Sequence, residues 1–260
     1  MKLRKREFVS FDEPCQFECK HCYTYGIPRN TIRSSNEIVS SIQGKQFDVI
    51  YVSQKTDNFY YPLKGISLCN QLFSTYDTNL FIITRNVFTA DELEQLVLLK
   101  NRMNESGKRL FIAISINALE SYHVCENVDK VPTPSARINF IIQLAEKNFL
   151  PILMLRPVFP NGVIPVTECT QIIEQVSRYV SCVVSSELGV NEEVLDRLGM
   201  KESDFKYTEN QEYLQGAISC HVKFVDVPEE LIIIERKCNA VSVPFFSHSM
   251  PALNYVLNKA

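Results

Sequence analysis

Three cysteines stand within eight residues, in Cys15-Gln-Phe-Glu-Cys19-Lys-His-Cys22-Tyr23, a C-x3-C-x2-C spacing. Thiolates are soft ligands, and three on so short a loop can wrap one metal centre. A closed structural zinc site needs four protein ligands. The fourth would have to be His21, or a group from far along the chain. His21 is awkward in that role because the adjacent Cys22 already ligates. A [4Fe–4S] cluster has four irons to ligate, so three cysteines leave one iron to a ligand that is not protein. That arrangement is catalytic rather than closed. The other six of the nine cysteines (Cys69, Cys125, Cys169, Cys182, Cys220, Cys238) are scattered and read as small buried hydrophobes.

The elements around this loop repeat a simple order. Residues 8–11 read as a first strand, with the cysteine loop directly after it. Apolar β-branched runs at 48–53, 80–84, 110–116, 151–155 and 182–185 read as further strands. Between them, 35–43, 62–76, 89–106, 135–148 and 165–179 read as helices. Ser34 or Ser35 would cap the first, and Pro62 sits at the start of the second. Thr89 caps the third, with Asp91 and Glu92 in its first turn and Gly107 as its stop. Continuous apolar strands between amphipathic helices imply a parallel sheet covered by helices. Strand–helix occurs about six times, short of the eight units of a closed barrel. Periodicity alone does not choose between an open doubly wound sheet and a full or partial barrel. Past Leu188 the pattern weakens. A short helix at 191–198, an ambiguous polar stretch at 201–216, a helix at 229–238 and a short strand at 243–246 make a C-terminal extension. The expected division is therefore 1–187 as the core and 188–260 as an extension that closes the barrel and shapes a pocket.

With 45% apolar and 22% charged residues over 260 positions, the chain can build a large core and is not a disordered composition. A net charge of −3 gives no global basic field for capturing nucleic acid, although Lys2, Arg4, Lys5 and Arg6 make a small basic patch. The basic start has no apolar stretch of signal-peptide kind behind it, and no apolar run approaches the ~20 residues that span a bilayer. The expectation is a soluble cytoplasmic protein that does not engage a membrane, in a reducing compartment where clustered cysteines mean metal rather than disulfide.

The C-x3-C-x2-C loop after the first strand resembles the signature of the radical S-adenosylmethionine (radical SAM) enzymes, and the six βα units over residues 7–185 look like their partial (β/α)6 barrel. The resemblance implies an α/β fold in which Cys15, Cys19 and Cys22 hold a [4Fe–4S] cluster. Its open iron chelates the methionine part of SAM, and one electron then splits SAM into methionine and a 5′-deoxyadenosyl radical that abstracts hydrogen from a substrate. It also implies an external electron donor of flavodoxin or ferredoxin type. The aromatic residue that the family often places before the last cysteine is replaced here by His21, with Tyr23 after the cysteine.

The glycine pair and glutamate usual at the end of the second strand are missing. Ser53-Gln54-Lys55-Thr56-Asp57-Asn58-Phe59-Tyr60-Tyr61-Pro62 instead resembles a segment of the spore photoproduct lyase-like branch, through Thr56, Asp57 and Pro62. Through the resemblance, Asp57 or the backbone near Ser53 would receive the SAM ammonium, and Thr56 counts among the cofactor-binding residues. Arg85 after the third strand would bind its carboxylate, and Ser115 and Asn117 after the fourth its carboxylate or ribose. Arg156 after the fifth would reach SAM or an anionic substrate. His248 sits where a substrate pocket is expected, and Cys220 or a tyrosine could donate a hydrogen atom.

Three functions follow. One is a radical SAM enzyme, an oxidoreductase or lyase, acting on a small molecule, nucleoside or peptide. Another is a binding or regulatory protein stabilised by zinc or an iron–sulfur cluster, without SAM cleavage. The third is a nucleic-acid lyase of spore photoproduct lyase type, against which the net charge argues.

Overall fold

The computed structural model describes residues 2–25, 32–53, 56–215 and 218–259, with the backbone alone for 209–215 and 218–221. Its main sheet is all parallel and runs β1 (Arg6–Val9), β2 (Val49–Val52), β3 (Asn79–Thr84), β4 (Leu110–Ser115), β5 (Ile152–Val158), β6 (Cys182–Glu187) and β10 (Phe245–Phe246). The helices between these strands are α1 (Ser35–Ser40), α2 (Pro62–Tyr76), α3 (Ala90–Glu105), α4 (Tyr122–Cys125), α5 (Pro134–Glu146) and α6 (Val166–Val176). Among the described residues β1 and β10 do not pair, so the curved sheet keeps two edges, as a partial barrel does.

Local chemistry explains the helix ends. Ser34 and Glu37 form a reciprocal capping box at α1, and Thr89 and Glu92 form one at α3. Pro62, Pro134 and Pro228 open α2, α5 and a later helix, where a missing N–H costs nothing. Gly107 follows α3 at φ +70°, a left-handed turn that glycine enters without strain.

Strands β2 to β6 bury both faces, which is why the sequence reads there as unbroken apolar runs. Ile50, Val52, Leu80, Ile82, Ile112, Ile114, Leu153, Leu155 and Val183 face the helices. Val49, Tyr51, Phe81, Phe111, Ala113, Ile152, Met154, Cys182 and Val184 form a second core on the concave face. That inner core is filled from below by α9 (Ser249–Lys259), which contributes Ala252, Leu253 and Val256. The sequence reading stops at the strand before it and misses this plug.

The segment after β6 does two things. Residues 189–225 form a three-stranded antiparallel sheet in the order β7 (Gly189–Val190), β9 (Ile218–Val225), β8 (Tyr207–Gln215), with α7 (Glu192–Leu198) beside it. The stretch expected to be ambiguous is thus mostly strand. The chain then returns through α8 (Pro228–Ala240), which packs on α6, and adds β10 to β6. Among the described residues no helix is long and apolar enough to cross a membrane.

Candidate active site

The concave columns of the sheet change character at their C-terminal ends. On β2 the inward residues run Val49, Tyr51, then Ser53. On β3 they run Phe81, Ile83, then Arg85; on β4 Phe111, Ala113, then Ser115; on β5 Ile152, Met154, then Arg156. A cavity of about 600 Å³ opens over these polar ends. Cys15, Cys19 and Cys22 line the same cavity, with Thr56 and Asp57. The structure therefore gathers nine of the ten site residues expected from sequence. Asn117 is not among the lining residues. Its amide is spent inside the wall, accepting from Arg85 Nη1 at 2.5 Å and donating to the Pro157 carbonyl at 2.7 Å, so it supports Arg85 rather than facing a ligand.

The cysteine loop is shaped by short-range bonds. Glu18 takes φ +49°, and the Cys22 N–H donates to the Cys19 carbonyl at 3.1 Å, which folds the loop between its last two thiols. Burial pushes the Cys15 thiol up to about 11, against backbone N–H groups of Asp57 and Phe17 that point at its sulfur. Burial also raises Cys19, opposed by the charge of Arg85. Among the described residues, no group of three His, Cys, Asp or Glu side chains gathers around a point as one ion requires. A cluster that gives each thiolate its own iron makes no such demand. His21 does not serve as a fourth zinc ligand, because Nδ1 meets the Cys125 carbonyl at 2.8 Å and Nε2 meets Arg85 at 3.1 Å. Three thiols on one cavity wall, with amide donors and a buried cation facing them, fit an iron–sulfur cluster better than a closed zinc site.

Arg85 is the hub of this wall. Besides Asn117 and His21 it donates to Glu126 Oε1 at 2.7 Å and to the Arg156 carbonyl at 3.4 Å, with its side chain 14% exposed. Burial alone would lower its pKa, but Cys19, Glu126 and Asp57 around it hold it charged. Glu126 also pairs with the fully buried Arg137, whose Nη1 donates to the Ser115 carbonyl at 2.7 Å. Two guanidiniums around one carboxylate leave a positive excess behind Cys19. The guanidinium expected to meet the SAM carboxylate is therefore engaged in the wall, and its charge acts over a short range.

Asp57 is likewise stapled. Oδ1 accepts from the Phe59 N–H at 3.0 Å, and Oδ2 accepts from the Arg85 N–H at 2.7 Å and Thr84 Oγ1 at 3.0 Å. Burial raises its carboxyl to about 6 despite these donors. Thr56 Oγ1 donates to the Glu13 carbonyl at 2.8 Å, which ties this turn to the start of the cysteine loop. Ser53 holds φ +95° and accepts from the Asn58 N–H at 3.1 Å. A non-glycine residue in that region is strained, which sets the backbone at the cavity edge.

The sequence reading missed several lining residues. Arg6 and Phe8 come from β1, Tyr51 from the middle of β2, and Glu187 from the end of β6. Leu188 links β6 to the small antiparallel sheet, and Gly189 and Phe224 belong to that sheet, which covers the cavity beside Tyr23. The period-two alternation of Arg6 with Phe8 and Tyr51 with Ser53 was the available signal. His248 lines the cavity, as expected, next to Ser249. The side chains of Cys220 and His221 lie outside the described residues.

No protein-family model and no curated protein matches the sequence. Solved structures do match in three dimensions. A radical SAM methyltransferase from Sphaerobacter thermophilus superposes with a TM-score of 0.59 at 11% identity, over 93% of this chain and 65% of that one. Streptococcus suis SuiB gives 0.55 at 10% identity, over 94% and 49%. Native anSMEcpe with bound AdoMet gives 0.52 at 9% identity, over 92% and 64%. The chain spans between about half and two thirds of the length of these structures. The first is a radical SAM methyltransferase and the third holds AdoMet; at these identities the likeness is one of fold.

Proposed function

We propose that this chain, which has the fold of radical SAM enzymes, holds a [4Fe–4S] cluster on Cys15, Cys19 and Cys22 and binds SAM with an organic substrate in the adjoining cavity. One observation carries the reading: the three clustered thiols and the polar ends of β2–β5 line a single cavity. Its volume of about 600 Å³ falls within the usual range for cofactor pockets. When bound and reduced by an external donor, such a cluster supplies the electron that splits SAM into methionine and a 5′-deoxyadenosyl radical.

The chain's own residues prepare the place for that chemistry. The positive excess of Arg85 and Arg137 over Glu126 offsets negative charge brought by thiolates and cluster. Backbone N–H groups of Asp57 and Phe17 donate toward the Cys15 sulfur. Met154, Ile83 and Phe8 line the barrel side with apolar surface, and Leu188 and Phe224 cover the cysteine side, which keeps water from a reactive intermediate.

The test is anaerobic reconstitution with iron and sulfide, followed by SAM and dithionite. The expected result is a brown protein that forms 5′-deoxyadenosine only when reductant is present. One zinc per chain with no SAM binding would instead support the metal-stabilised binding protein.

A further inference from the structure

We infer that the substrate is an acid whose carboxylate or phosphate is seated between Arg156 and Arg6, at the phenol of Tyr51, on the barrel side of the cavity. The inference rests on the radical SAM reading of this cavity and names the class of molecule that shares it with SAM.

Most charged groups of the wall are already committed to one another. Arg85 and Arg137 are both bonded to Glu126, and Asp57 is held by three donors. The charged lining residues left for a ligand are Arg156, Arg6 and Glu187, together with the exposed His248. Among the described residues neither Arg156 nor Arg6 pairs with a carboxylate, whereas Arg33, Arg85 and Arg137 all do. Arg156 is half-buried at the inward end of the β5 column. A guanidinium partly withdrawn from water with no counter-charge is costly unless a ligand supplies one.

Tyr51 marks the meeting point. Arg6 lies over its ring at 5.5 Å, and Arg156 lines the same cavity. Ser249 Oγ donates to the same hydroxyl at 3.1 Å. A phenol oxygen has two lone pairs. With Ser249 as its donor, the O–H of Tyr51 is left to donate to something in the cavity. Ser249 also begins the eleven-residue α9, so the positive end of that helix faces the same spot. Two guanidiniums, a phenol O–H and a helix N-terminus are all donors, and together they select an anion. Glu187, at the end of the neighbouring strand β6, is the one uncommitted carboxylate among the described lining residues, and one carboxylate against two guanidiniums leaves the seat net positive.

The test measures thermal unfolding and calorimetric binding of the full chain with inorganic phosphate and, separately, succinate, each against chloride at matched ionic strength. Wild type is expected to be stabilised by at least one of the two, and which one assigns phosphate or carboxylate. Arg156→Gln should weaken that binding by about tenfold or more, the loss of one charge-assisted bond. Arg156→Lys should recover part of it, and the exposed Arg178→Gln should change nothing. Arg6→Gln supplies a second reading should the Arg156→Gln protein not fold. Absence of anion binding over chloride overturns the inference, as does equal binding by the Gln variants. SAM affinity, measured on the reconstituted protein, separates the remaining case. If Arg156→Gln loses SAM as strongly as it loses the anion, Arg156 serves the cofactor and the inference fails. Anion binding by a wild type that neither binds nor cleaves SAM would overturn the radical SAM reading and leave the seat standing.

Discussion

Arg85 Nη2 lies 3.1 Å from His21 Nε2, while His21 Nδ1 lies 2.8 Å from the Cys125 carbonyl. A guanidinium only donates and a carbonyl only accepts, so the ring must carry its proton on Nδ1 and accept on Nε2. Burial first, and then the charge of Arg85, lower its pKa to about 3, which keeps it neutral. The residue that looks from sequence like a metal ligand is instead a connector between the cysteine loop and the buried cation. His21→Phe is therefore expected to leave iron loading after reconstitution unchanged. It should cost about 1–3 kcal/mol in denaturant unfolding, because one buried Arg85 N–H loses its acceptor and the Cys125 carbonyl keeps only the backbone N–H of residue 21. Loss of iron at unchanged stability would make His21 a ligand after all.

The cluster assignment has a sharper test. Cys19→Ala, and equally Cys15→Ala or Cys22→Ala, should abolish both bound iron and reductant-dependent 5′-deoxyadenosine. Cys69→Ala, at a fully buried thiol of α2 far from the cavity, should keep both and lose only packing stability. Retained SAM cleavage in Cys19→Ala would put the redox centre elsewhere.

Glu126 gives a pH prediction. Burial alone would raise its pKa, but Arg137 and Arg85 outweigh that and hold it below the ordinary carboxylate value. Its unfolded form therefore takes up a proton before its folded form does. The stability it contributes is present above about pH 4, near the unfolded glutamate pKa, and is lost as pH falls through the lower folded value. Glu126→Gln leaves two buried guanidiniums without a counter-charge and should cost about 3–5 kcal/mol at neutral pH. It should also flatten part of the acid limb of a stability–pH curve measured by urea unfolding. Superimposable acid limbs for the two proteins would refute the assignment.

The cover over the cysteine loop makes a separate prediction. Arg197 of α7 donates from Nη2 to the Cys22 carbonyl at 2.7 Å and stacks over Tyr25 at 4.8 Å. This ties the segment after β6 to the backbone of a thiol that lines the cavity. Arg197→Ala is expected to load iron normally and then lose it to a chelator several times faster than wild type. Equal loss rates would show that the contact does not hold the loop.

The parallel sheet was legible because both of its faces are buried, which writes each strand as an apolar run between capped helices. Thr89, Glu92 and Gly107 mark one helix end to end in residues alone. The cysteines were legible because spacing on a single loop is local. Asn117 misled because sequence shows that a polar residue ends a strand, not whether its amide turns to the cavity or to Arg85. The Arg85–Glu126–Arg137 group was invisible because its members lie 41 and 11 residues apart. Strand β8 was obscured by its polar residues, whereas β9 carries a legible alternation of Ile218, Cys220, Val222 and Phe224.

The same limit applies to α9, whose Leu253 reads from sequence as one more apolar residue near the end. In the fold it is fully buried, packed with Ala252 and Val256 in the inner core that holds Tyr51, Phe81 and Met154. Among the described residues no strand closes the barrel between β1 and β10, and this helix fills the concave face below the cavity. Leu253→Ala removes three carbon atoms from a site bounded by strand side chains that cannot collapse together, and the expected loss is about 2–5 kcal/mol. The consequence should reach the cavity, because α9 begins at Ser249, which holds the Tyr51 hydroxyl. Urea unfolding measures the first effect, and phosphate or succinate binding to the still-folded protein measures the second. A variant that loses stability yet keeps wild-type anion affinity would show that the floor of the cavity does not depend on the plug beneath it.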